Sequence, residues 1–143
     1  MGAVAGCIEL SSGTGEVAAG LVSQLLSACG EARIRVSGTS MLPSIRPADV
    51  LHIRPVDIAT VQTEDVIVVA RDRRLFTHRV VRVDRRDGER VRITRGDMHG
   101  HDDPPVTEAD LLGRVAGQTR RGTGNRLGRP GRPAGRGGGE RAV

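Results

Sequence analysis

Residues 65–83 read "DVIVVARDRRLFTHRVVRV", and this stretch decides the fold class. Val66 to Ala70 form an uninterrupted apolar run, suited to a strand buried on both faces. Leu75 to Val83 form a second extended segment. Arg85-Arg86-Asp87-Gly88 follows as a turn signal, and "ERVRIT" (89–94) returns as the hairpin partner. Upstream, "RIRVSG" (33–38) and "DVLHIRPV" (49–56) alternate, with Leu51 and Ile53 on one side and His52 on the other. "DLLGRVAGQ" (110–118) closes the set. Short strands at this spacing, with turns between them, predict a mainly β domain over 33–118, a barrel or a sandwich.

Outside that domain the pattern changes. Residues 14–30 predict one amphipathic helix: Val17, Leu21 and Leu25 recur along one stripe with Val22, Leu26 and Cys29 beside it, and Gly30 is a stop. Residues 1–13 read as a flexible lead. Residues 119–143 are dominated by Gly, Arg and Pro; they bury too little apolar surface to offset chain entropy and are expected to be disordered.

The composition narrows the function. The chain has 143 residues and a formal net charge of +5, but residues 119–143 carry +6 and the remainder −1. The basic character therefore belongs to the tail and does not make the folded part a nucleic-acid binder. The tail lacks interleaved aromatics for base stacking; weak contact with RNA or an anionic membrane is the most it implies. Phe76 is the one aromatic residue among Phe, Trp and Tyr, so the core is aliphatic. No apolar run approaches the ~20 residues of a transmembrane helix, and no secretory leader pattern is present. Cys7 and Cys29 make no paired framework and read as thiols of a reducing compartment.

Chemistry concentrates around "VSGTSMLPSIRPADVLHI" (36–53), in which Ser40 stands between Gly-Thr and Met-Leu-Pro. A serine needs a base to become a nucleophile. All 22 basic residues are arginine, so a Ser–Lys pair is impossible and histidine is the natural base. Four are present: His52, His78, His99 and His101. His78 lies within an apolar strand, on one face with Phe76 and Val80, where a satisfied core histidine is the plain alternative. "TRGDMHGHDDPPV" (94–106) then offers Asp97, Asp102 and Asp103, any of which could orient an imidazole. His99-x-His101 followed by two aspartates has ligand types that suit zinc, but no distant set completes a site; a solvated loop is the plain reading, with no metal and no cofactor expected.

Taken in order, Ser-Met-x-Pro, Pro-x-Asp, "DVIVV", "THRVVRV", "RGDMHGHDDPPV" and "LLGRV" resemble the signal peptidase I family and its LexA-like relatives, over roughly Arg33 to Gly117. The chain looks most like the branch in which histidine replaces the catalytic lysine. The resemblance implies a β-barrel fold, Ser40 as nucleophile, His78 as general base and Asp103 as the acid, with Asp102 its rival and Asp97 in the supporting Gly-Asp box. It implies an oxyanion hole built on the Ser40 backbone with Ser37, Gly38 or Thr39, since the hydroxyl many members carry two residues before the nucleophile is Gly38 here. Two motifs depart from the pattern: Pro47-Ala48-Asp49 replaces a Gly-centred turn, and Met98-His99 follows Gly96-Asp97 where asparagines are common.

The resulting expectation is a serine endopeptidase that hydrolyses a bond in an extended peptide or precursor protein. It would act in the cytoplasm, or peripherally at a membrane, without the family's anchor. The alternatives are an inactive peptide-binding module of the same fold and, third, a LexA-type self-cleaving regulator, for which residues 1–32 are too short to supply a DNA-binding unit.

Overall fold

The computed structural model describes residues 9–11, 16–72 and 74–120. Seven strands and one helix follow in the order β1 (Glu9–Ser11), α1 (Glu16–Cys29), β2 (Ala32–Arg35), β3 (Val50–Arg54), β4 (Val66–Arg71), β5 (Arg74–Arg86), β6 (Glu89–Arg95) and β7 (Leu111–Thr119). They form one sheet in the order β1-β2-β3-β7-β4-β5-β6. Every neighbouring pair is antiparallel except β1 and β2.

The chain is mainly β, but the expected barrel is not formed. β1 and β6 lie at opposite edges of the sheet and do not pair, so the sheet stays open. Beyond β6 there is, among the described residues, a single bridge, Arg92 to Val106, made by a loop rather than by a further strand. The flexible lead also needs correction at Glu9–Ser11, which pair with Arg33–Arg35. Likewise Thr119, placed in the tail by its composition, pairs with Val50 at the end of β7. The rest of the expected tail, 121–143, lies outside the described residues, and with it the suggested RNA or membrane contact.

The apolar run of β4 is buried from both sides. Val66 and Val68 join a cluster with Ile34, Leu51, Ile53 and Leu75, roofed by Ala19, Val22 and Leu26 of α1. Ile67 and Val69 face the other way, against Val61, Val80 and Val106. Each such aliphatic side chain contributes about 1.5–3 kcal/mol on burial. The helix is turned slightly from its sequence stripe: Leu21 is 38% exposed, while Val22 is fully buried. Gly30 ends the helix with a positive φ of 77° and donates its N–H to Leu26 O at 3.0 Å. No helix among the described residues is long and apolar enough to cross a membrane.

β5 is the element that positions the site. Its first half pairs with β4 (Arg74 to Arg79 against Arg71 to Val66), and its second half pairs with β6 from Arg79 onward. Before Arg79, therefore, one edge of β5 has no strand beside it among the described residues. The β5–β6 turn is the one the sequence signalled, with Asp87 and Gly88 both at positive φ.

Candidate active site

Ser40 sits in the loop between β2 and β3, alongside that open stretch of β5. The loop is a tight turn: Leu42 N–H donates to Thr39 O at 3.1 Å and Ile45 N–H to Met41 O at 2.9 Å. Met41 and Ile45 are both 3% exposed and anchor it in the core. Met98 N–H donates to Ser40 O at 2.8 Å, which fixes the serine against the turn that follows β6.

His78 is 7% exposed and reaches both neighbours expected of a base. Its Nε2 lies 3.2 Å from Ser40 Oγ, and its Nδ1 lies 2.6 Å from Asp103 Oδ2. The same carboxylate oxygen accepts the Thr94 hydroxyl at 2.7 Å, and Asp103 N–H donates to Thr94 O at 2.8 Å. Asp103 is thus held by β6 while it holds the ring of His78. A carboxylate on Nδ1 favours the tautomer with its proton there, leaving the Nε2 lone pair for a hydroxyl.

The other acids stand elsewhere. Asp102 accepts from Arg95 at 2.6 Å and lies 3.6 Å from Arg82. These arginines, the Arg95 hydrogen bond foremost, hold its carboxyl below the ordinary range. Asp97 accepts from Arg79 Nε at 3.0 Å and Nη2 at 2.9 Å, and from Ser44 Oγ at 2.8 Å. Burial pushes the Asp97 carboxyl up, but the Arg79 and Ser44 hydrogen bonds outweigh it and hold it below the ordinary range. The Asp97 hydrogen bond in turn raises the Arg79 guanidinium. Ser44 O is gripped from the opposite side by Gln118 at 3.0 Å and Arg120 at 3.3 Å, which also bind the buried Asp49. Ser37 and Gly38 line the cleft beside Ser40, whereas Thr39 is not among its lining residues.

Arg79, Ser44 and Thr94 were not singled out from the sequence. Arg79 carried the nearest signal, standing next to His78 in "THRVV", but alternation sends it to the opposite face of β5, and its partner lies 18 residues away. His52 is in β3 and pairs with Arg33 and Gly117. His99 contacts His78 edge to face, with ring centroids 5.3 Å apart, and stacks on His101 at 5.6 Å. One donor atom each of His78, His99 and Asp103 lie within 4.8 Å of one another, the one such group found among the described residues.

A cleft of about 140 Å³ opens beside Ser40, between Val36-Ser37-Gly38 and Leu75-Phe76-Thr77. Thr77 is one of its lining residues; its Oγ1 is buried, with no hydrogen-bond partner among the described residues. No family model matches the chain, and no curated protein matches its sequence.

Proposed function

We propose that this chain is a serine endopeptidase of the signal peptidase I type, with Ser40 as nucleophile, His78 as general base and Asp103 as the residue that orients His78. The observation that carries the reading is the continuous relay Asp103 Oδ2–His78 Nδ1 at 2.6 Å and His78 Nε2–Ser40 Oγ at 3.2 Å, at the rim of a cleft. Ser40 Oγ attacks the scissile carbonyl carbon while His78 Nε2 takes its proton. The imidazolium formed is stabilised by Asp103 and then protonates the leaving amine, leaving an acyl-enzyme. Water, deprotonated by His78, hydrolyses that ester and regenerates the serine. The Ser40 N–H has no acceptor among the described residues and is free to bind the developing oxyanion.

The substrate is an extended peptide. The edge of β5 before Arg79, unpaired among the described residues, offers main-chain groups to a strand laid beside it. A cleft of about 140 Å³ has room for a small side chain next to the cut.

The test is incubation of the purified chain with a peptide library, cleavage sites being read by mass spectrometry. A defined set of cuts, absent with Ser40→Ala, is expected. Cuts that persist with Ser40→Ala would overturn the assignment. Tight peptide binding without cleavage would instead identify an inactive binding module.

A further inference from the structure

His99 has no role in the mechanism above, yet the fold brings it against the base. In the sequence, His99-x-His101 lacks a distant partner that could complete a metal site; His78 supplies one. The two rings meet at 88°, and the Cβ that Gly96 lacks would lie 3.0 Å from both His78 Nε2 and His99 Nδ1. Both nitrogens therefore face Gly96, where any side chain would press on each of them. Asp103 stands behind His78 on Nδ1, the arrangement that fixes the tautomer and orientation of a metal-binding imidazole.

We propose that the site binds a divalent transition-metal ion, Zn²⁺ foremost, through His78 Nε2 and His99 Nδ1, with water completing the shell, and that the bound ion switches the peptidase off. Imidazole nitrogen suits zinc at about 2.0–2.1 Å. Donor atoms of the two histidines already lie within 4.8 Å, and His99 is on an exposed loop, so a small swing of its ring closes the site. The inhibition follows from a single lone pair. His78 Nε2 faces Ser40 Oγ at 3.2 Å, and once that nitrogen is bound to zinc it cannot accept the serine proton. Metal binding stands on the histidine geometry alone; its regulatory consequence rests on the peptidase reading.

Calorimetric titration of the full, untagged chain with ZnCl₂ at neutral pH tests the site. The wild type is expected to bind one equivalent, and His99→Ala and His78→Ala to weaken binding by about tenfold or more. Ser40→Ala keeps the affinity. Should His78→Ala fail to fold by circular dichroism, His99→Ala decides, since its position is exposed. Absence of saturable binding, or equal affinity in His99→Ala, overturns the site. Where cleavage is measurable, zinc inhibits the wild type at the concentration at which it binds, and His99→Ala shifts that concentration by the same factor. Zinc binding without inhibition overturns the switch. If no cleavage is found for any variant, the peptidase reading and the switch fall together, and the titration still decides the metal site.

Discussion

Arg79 holds both carboxylate oxygens of Asp97, Nε to Oδ1 at 3.0 Å and Nη2 to Oδ2 at 2.9 Å. Arg79 follows His78 on β5 and leaves the strand on the opposite face. Adjacent residues thus divide two tasks. His78 reaches the serine, and Arg79, through Asp97 and Ser44, ties the serine's loop to the same strand. The distance between His78 and Ser40 is set by one strand acting from both of its faces.

From this tie, Arg79 is a positioning residue. Arg79→Ala is expected to lower kcat by about 10–100-fold with little change in KM, because a small misplacement of the nucleophile costs rate rather than binding. It also costs about 2 kcal/mol of stability by leaving Asp97 without its charged donor. Arg79→Lys restores part of both, since lysine keeps the charge and loses the two-pronged geometry. Steady-state kinetics and urea unfolding measure the two effects separately. A KM effect alone would argue that Arg79 touches substrate instead.

Asp103 and Asp102 separate by the same logic. Asp103→Asn is expected to cut kcat by up to about ten-thousandfold, since the amide no longer stabilises the imidazolium or fixes its tautomer. Asp102→Asn, which loses only the partly exposed Arg95 and Arg82 contacts, is expected to stay within about threefold of wild type. A larger loss at Asp102 than at Asp103 would reverse the assignment.

How much of this was legible in the sequence differs by residue. The β4 run and the β5–β6 hairpin were, because side-chain period and turn chemistry are local. That Ser40, His78 and Asp103 come together was expected from the order of their motifs, and their side chains do meet. The Arg79–Asp97 tie was not, since it joins a strand to a loop through opposite faces, and sheet closure was not, since edge pairing depends on how far the whole sheet curls. The Pro47-Ala48-Asp49 turn stood out in the sequence because alanine replaces the glycine of the resembling family's turn. The structure keeps the turn, with Ala48 at a φ of 79°.

That strain gives a stability prediction. Left-handed backbone costs a side-chain-bearing residue about 1–2 kcal/mol, part of which glycine returns as greater unfolded-state entropy. Ala48→Gly is therefore expected to stabilise the chain by up to about 1 kcal/mol, seen as a higher urea midpoint at unchanged slope. A loss of stability would mean that the Ala48 side chain contributes packing that exceeds its strain.

Acid should weaken the fold through Asp49 and Asp97. For Asp49, burial raises the carboxyl, but hydrogen bonds from Arg120, the Arg46 N–H and Gln118 outweigh it, and for Asp97 the Arg79 and Ser44 bonds do the same. Both carboxyls are thus lower in the folded state than in the unfolded chain. Their contribution is full above the unfolded value of about 3.9 and is lost as pH falls through the lower folded values. Urea midpoints are expected to fall steeply below about pH 4 and less steeply in Asp97→Asn. Equal slopes for the two proteins would remove Asp97 from this account.

Gly96→Ala probes the crowded point of the site. Its Cβ would stand 3.0 Å from His78 Nε2, His99 Nδ1 and Ser40 O. Activity is expected to drop by about tenfold or more while stability changes by about 1 kcal/mol or less, because His99 is exposed and can yield, whereas the Ser40–His78 contact cannot. Unfolding without a specific activity loss would show that the space is structural.

The most direct measurement of the central claim compares protein N-termini, by mass spectrometry, in cells carrying the wild-type chain and cells carrying Ser40→Ala at equal abundance. The account predicts that a defined set of N-termini disappears in the mutant, with a small residue before each cut. Matching profiles from two folded, equally expressed proteins would contradict it.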